Sequence, residues 1–134
     1  RVATPIMVKP YENRSRPGRI LNEHGRRDEN LTWGEQAAWC DYAGWVDGTF
    51  VGITIMADPG NIAACRWHTR NYGLMVANPF AELAFKKGPG NKTELASGEP
   101  FHLRFGILVH ATDDEESFDP ASAYRQYRAT TTRK

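Results

Sequence analysis

The densest run of side chains able to do chemistry is Trp67-His68-Thr69-Arg70-Asn71-Tyr72-Gly73. It offers an imidazole that exchanges a proton near neutral pH, a permanent cation that can clamp a carboxylate or a hydroxyl pair, an amide and two aromatic rings. These are the ingredients of a sugar site, where rings cover apolar sugar faces and polar groups meet hydroxyls. Nearby Asn78-Pro79-Phe80 adds a second amide. His68 and Arg70 are the candidate catalytic residues. Trp67, Tyr72 and Asn78, with His102 and Arg104 from a later stretch, are the candidate substrate-binding residues. The same residues also fit a plain strand with polar side chains out and aromatics packed inward.

Other chemistries lack their signatures. The histidines, His24, His68, His102 and His110, show no i, i+4 pair, and no cysteine or carboxylate stands beside them at metal-ligand spacing. No metal and no cofactor is therefore expected of this stretch alone. There is no Gly-x-Ser-x-Gly elbow and no glycine-rich loop opening a helix. Paired-carboxylate chemistry stays open, because separation in space is invisible in a sequence. Asp113-Asp114-Glu115-Glu116 reads as a solvated loop, and Cys40 and Cys65 as free core thiols that could bridge in an oxidising compartment.

Composition narrows the class. With 134 residues, 40% hydrophobic and 25% charged, the chain is long enough for one domain with a real core, or for a large piece of one. Seventeen Lys and Arg against sixteen Asp and Glu give a net charge of +1, too small a field to draw nucleic acid. The basic cluster Arg14, Arg16, Arg19, Arg26 and Arg27 reads as loop charge without interleaved aromatics. The longest apolar runs fall far short of the roughly 20 residues of a membrane-spanning helix, so no membrane partner is expected. Sequons at Asn13, Asn30 and Asn91 would matter only in a secretory pathway, and the compartment is left open.

The elements needed to position these residues are mostly strands. Arg1 to Val8 reads as strand, Lys9 to Thr32 as loop around a short strand at Gly18 to Asn22, and Trp33 to Trp45 as a buried strand. Asp47-Gly48 between apolar runs predicts a tight hairpin into Phe50 to Ala57, where Val51, Ile53 and Ile55 share a face. Asp58-Pro59-Gly60-Asn61 should turn with Gly60 left-handed. Arg66 to Ala77 reads as a strand broken or bulged at Gly73, and Leu83 to Lys86 as a short strand before a turn at Gly88-Pro89-Gly90-Asn91. From Phe101 to His110, alternation places Phe101, Leu103, Phe105, Ile107 and Val109 on a core face and His102, Arg104 and His110 on the other. Asp119 can cap a helix beginning at Pro120. The expected fold class is all-β, an antiparallel β-sandwich with a short C-terminal helix.

Several runs carry a family likeness: Ala38-Trp39-Cys40-Asp41-Tyr42-Ala43-Gly44, Val51 through Asn61, Trp67 through Leu74, Ala77-Asn78-Pro79-Phe80, and Ser97-Gly98-Glu99 with His110 beyond. Together they resemble the PmoA-like family of unknown function, often labelled methane oxygenase, over Arg1 to about His110. The resemblance implies the second half of a longer domain, whose first half would hold a histidine-rich segment absent here. A weaker likeness rests on Leu95-Ala96-Ser97-Gly98-Glu99-Pro100 before a long last strand. It is similar to the closing turn of aldose 1-epimerases and other galactose-mutarotase-like supersandwiches. Those enzymes carry a catalytic glutamate upstream of that turn, where Asn78-Pro79 stands here.

Two functional readings follow. In the first, a concave sheet binds a sugar, with His68 moving a proton and Arg70 holding a carboxylate or hydroxyl pair. In the second, the same residues pack a non-catalytic binding or structural module. An oxygenase would need metal ligands that this stretch does not show. If the chain is half of a sandwich, it should expose apolar faces and edges that a missing N-terminal half or another protein chain would cover.

Overall fold

The computed structural model describes residues 1–9, 16–89 and 93–131. Its strands are β1 (Arg19–Asn22), β2 (Trp39–Val46), β3 (Thr49–Ala57), β4 (Arg66–Arg70), β5 (Leu74–Asn78) and β6 (Phe105–Thr112). A 3-10 turn at Thr4–Ile6 precedes them, a short helix α1 (Asp28–Thr32) follows β1, and α2 (Pro120–Thr131) closes the chain. β1-β2-β3-β6 form one antiparallel sheet and β4-β5 a second, so the fold is all-β and sandwich-like with a short C-terminal helix.

The hairpin that organises the large sheet arises where the sequence places it. Asp47 and Gly48 take φ of 49° and 83°, the positive pair that a two-residue hairpin favours, and β2 and β3 pair from Val46↔Thr49 back to Trp39↔Met56. The small β4-β5 sheet covers one face of β1 and β2. Trp67 and Met75 press on Ile20, Cys40 and Tyr42, joined by Val2, Ile6 and Met7 from the N-terminal turn. A fully buried aliphatic side chain such as Ile20 stabilises the fold by roughly 1.5–3 kcal/mol. Inside this core the Tyr42 hydroxyl accepts from the Val8 and Gly73 amides and donates to the Asn71 carbonyl at 2.8 Å.

A layer of two five-residue strands is narrower than the sheet beneath it. On the same face, Val51, Ile53 and Ile55 of β3 are only partly covered, and Ile107 and Val109 of β6 are 69% and 73% exposed. The opposite face is closed by the C-terminal segment instead. Phe118 stacks on His110 with ring centroids 3.6 Å apart, and Tyr127 lies so close over Gly106 that a Cβ there would meet its ring at 2.8 Å. Hence the aliphatic face of β6, expected in the core, lies open, and the face of His110, expected to be solvated, is buried.

Other expectations change for local reasons. The first residues form a 3-10 turn and no strand, with Pro5 inside it. Residues 33–38 are irregular and β2 starts only at Trp39; α1 was not foreseen, since five residues carry no helical periodicity. Gly60 does not adopt positive φ; Asp58 Oδ1 accepts the Gly60 amide and Asp58 O the Asn61 amide, which closes the turn without it. Gly73, at φ 94°, is not a bulge within one strand but the end of the turn between β4 and β5. Leu83 to Lys86 is turn, with Lys86 at φ 53°. His102 and Arg104 precede β6 and share no strand face with His110. Arg19 is not loop charge but buried at 5% exposure. Cys40 and Cys65 are free and buried. The sequons at Asn13 and Asn91, Arg14 and the end of the turn at Gly90-Asn91 lie outside the described residues.

Candidate functional site

Polar groups gather in three places. The first is the outer face of the β4-β5 hairpin. Register pairs Arg66 with Asn78, His68 with Val76 and Arg70 with Leu74, so His68, Arg70 and Asn78 share that face, while Trp67 and Thr69 point inward. Trp67 is fully buried and its indole donates to the Ala37 carbonyl at 2.9 Å, so it packs the core. His68 meets the edges of Trp33 and Phe85 at 6.4 and 5.7 Å between centroids. Burial, with help from the Arg70 cation, holds its imidazole below the ordinary histidine range.

Arg70 is spent on structure. Its Nη1 donates to Glu29 Oε1 at 3.0 Å and its guanidinium lies 5.4 Å from the Trp33 ring centre. Glu29 Oε2 accepts the Asn71 amide, and Asn71 Oδ1 accepts the Glu29 amide, which rivets α1 to the hairpin turn. A cleft of about 290 Å³ lies here between Glu29, Asn30, Trp33, Glu35, Arg70 and Lys87, and its charges are paired. Glu35 accepts from Lys87 at 2.7 Å and from Arg26, and the Lys87 hydrogen bond is the largest cause holding its carboxyl below the usual range. Asn78 Oδ1 accepts the Phe80 amide, Tyr72 is exposed beneath Arg1, and Arg104 reaches Asp58 at 3.7 Å. His102 is exposed in the irregular approach to β6. The sequence-derived set is thus brought together only in part.

The second place is a charged joint inside the sheet. Asp41, fully buried, accepts from Thr54 Oγ1 at 2.7 Å and from His110 Nε2 at 2.9 Å through one oxygen, while its other oxygen stands 3.5 Å from Arg19. Arg19 in turn pairs with Glu115, which also takes Arg27 at 2.8 Å. A side chain at Gly52 would collide with the His110 ring at 2.5 Å, so glycine makes the room. Both imidazole nitrogens are enclosed, Nε2 on Asp41 and Nδ1 without a partner among the described residues, so this joint holds the fold and presents nothing to a ligand.

The third place is a cleft of about 310 Å³ at one end of the sheet, and sequence reading missed it. Its apolar lining is small: Ala37 and Ala38 before β2, Ala57 at the end of β3, and Pro59, Ala63, the exposed Ala64 and the buried Cys65 before β4. Its polar lining is the exposed Glu23, His24 and Gln36, the half-buried Asn61 and Tyr124 and the buried Asp58. The Glu23-His24 corner is set by Asn22, whose Oδ1 accepts the amides of His24 and Arg26 at 3.0 and 3.1 Å. Tyr124 comes from α2, whose first turn Asp119 caps by accepting the Ala121 amide at 2.9 Å.

Several of these polar groups are already used. Asp58 Oδ1 holds the Gly60 amide and Asn61 makes two 2.8 Å bonds to the Arg104 backbone. Others keep capacity. Glu23 spends Oε2 on the Ala38 amide at 2.6 Å and leaves Oε1 unbonded among the described residues. His24 spends Nε2 on the Gln36 carbonyl at 3.1 Å and leaves Nδ1, while the Gln36 side-chain amide and the Tyr124 hydroxyl make no hydrogen bond there. Burial first, then the carboxylates of Glu23 and Asp58, outweigh Arg128 and hold the Tyr124 phenol above its ordinary range, so it is a neutral donor. No group of three or more metal-ligating side chains occurs among the described residues.

A model for a family of unknown function, DUF6807, matches residues 1–122. The chain belongs to this family. No curated protein and no solved structure matches it. The family match spans both sheets, the first two polar gatherings, the third apart from Tyr124, and the start of α2. Tyr124 and the rest of α2 lie beyond the matched residues.

Proposed function

We propose that this chain binds a small polyhydroxylated ligand, a monosaccharide or the terminal unit of a glycan, in the alanine-lined cleft. The observation that carries this reading is that four residues lining one cleft beside small apolar side chains keep unspent hydrogen-bonding capacity among the described residues: Glu23 at Oε1, His24 at Nδ1, Gln36 at its amide and Tyr124 at its hydroxyl. A sugar presents the complement: hydroxyls that donate and accept in turn, and a C–H face that tolerates alanine. The volume, about 310 Å³, is at the small end of ligand clefts. The weaker sequence likeness to galactose-mutarotase-like sandwiches favours a sugar over other polyols. Glu23 and His24 are also the titratable pair that would carry acid–base chemistry on that sugar.

The test is titration of the 134-residue chain with glucose, galactose, mannose and glucuronic acid, followed by amide chemical shifts. Saturable shifts confined to residues 23–24, 36–38, 57–64 and 124 are expected, with a Kd near 1 mM, about −4 kcal/mol. Glu23→Gln should weaken binding about tenfold, and Ala63→Trp should block it. If no sugar gives saturable shifts at these residues, or if Ala63→Trp binds as the parent does, the proposal fails.

A further inference from the structure

β6 is an edge strand, paired with β3 on one side and with no other strand among the described residues. Long edge strands are ordinarily blunted by charge, proline or a bulge, because their free amides and carbonyls invite another strand. Phe105–Thr112 has none of these. Its sequence, Phe-Gly-Ile-Leu-Val-His-Ala-Thr, holds no Lys, Arg, Asp, Glu or Pro, and its register with β3 runs one to one from Phe105 to Thr112. The opposite edge is protected: β1 has four residues, and Leu21 bridges to Arg27 on its outer side.

Both faces beside the β6 edge are apolar. On one stand Ile107 and Val109, with Ile53 and Ile55 behind them by register. On the other, a groove of about 250 Å³ runs between the strand and α2, lined by Met56, Gly106, Leu108, Ala123 and Tyr127 among others. We propose that β6 is a docking edge for an extended aliphatic segment of another polypeptide, which joins the sheet as a fifth strand. Its backbone would pair with the outward amides and carbonyls of β6. Its alternate side chains would lie beside Ile107 and Val109 on one face and enter the α2 groove on the other. The uncharged strand and the apolar groove select Val and Ile at those positions over charged residues. A second copy of this chain fits less well. Pairing β6 with itself about a twofold axis normal to the sheet would bring both α2 helices onto one face, beside the same edge. This inference does not rest on the sugar reading.

A synthetic nine-residue peptide with Val or Ile at alternate positions and Lys at both ends tests it. Amide hydrogen exchange of β6 in the 134-residue chain should slow at least about tenfold with peptide present, and the same peptide N-methylated at alternate amides should have no effect. Val109→Lys, at an exposed position that leaves the core untouched, should weaken binding at least about tenfold. Unchanged exchange with the fold intact by circular dichroism overturns the proposal, as does undiminished binding by Val109→Lys. A doubled mass in sedimentation, with β6 protected in the absence of peptide, also overturns it in favour of the second copy.

Discussion

The hairpin face and the alanine-lined cleft hold similar residues and use them in opposite ways. On the hairpin face, Arg70 is paired with Glu29, Glu35 with Lys87 and Arg26, and Glu29 with the Asn71 amide. In the cleft, Glu23, His24 and Gln36 each keep an atom unbonded among the described residues, and Tyr124 a hydroxyl. In the dense motif Arg70 and Asn71 are held by Glu29 while His68 makes ring contacts, whereas residues scattered from 23 to 124 leave capacity for something else. Density of functional residue types is a poor guide to function until each group's partners are counted.

The contrast predicts that spent groups matter for stability and unspent ones for binding. The largest effect belongs to the joint inside the sheet. Asp41→Ala strands Arg19 and His110 without their shared carboxylate and should cost about 3–5 kcal/mol, read as a lowered urea midpoint. A loss below about 1 kcal/mol would mean that the joint is only a bystander. Next comes Arg70→Met. Its pair with Glu29 is partly exposed, so the expected loss is about 1 kcal/mol at most, with sugar binding in the cleft unchanged. Glu23→Gln should reverse that pattern, moving stability by less than about 0.5 kcal/mol while weakening the ligand. If Arg70→Met instead abolished sugar binding with stability intact, the contrast between the two regions would be inverted.

The smallest effect is in pH. Burial depresses the His68 imidazole, so the folded state binds this proton less readily than the unfolded chain, whose histidine titrates near 6.5. Its contribution is fully present above that value and declines as the pH falls from about 6.5 toward the lowered folded value. His68→Gln should flatten the slope of stability against pH in that window and leave it unchanged above. Glu35 acts lower on the scale: its depressed carboxyl favours the fold above the ordinary glutamate range and loses that contribution as acid protonates it.

How much of this was legible in the sequence follows from the range of each interaction. The Asp47-Gly48 turn, the β3 alternation and the Asp119-Pro120 start of α2 depend on neighbours a few residues apart, and each appears in the structure. Which face of β6 is covered does not. Alternation divides Ile107 and Val109 from His110, but only the docking of residues 115–127 on the histidine side decides which set is buried. His68 and Arg70 could be seen as chemistry-bearing, yet their partners Trp33, Phe85 and Glu29 lie 17 to 41 residues away and were invisible. The cleft was least legible of all, because alanines carry no motif and its polar lining comes from four separate stretches. The Asn22-to-Gly25 corner was its one local signal, a turn that presents Glu23 and His24 outward.

The joint of Arg19, Asp41, His110 and Glu115 also bears on how the chain reaches its native state. Its hydrogen bond from His110 to Asp41 spans 69 residues. A chain emerging from the ribosome therefore holds a carboxylate on β2 that finds its imidazole only after β6 has been made. Until then Asp41 has Arg19 of β1 and Thr54 of β3 as partners but lacks its imidazole. Contacts of such separation are costly to close and slow the search. Complete assembly is thereby deferred until residues 105–118 have been made, and truncation before Phe118 would remove the ring that stacks on His110.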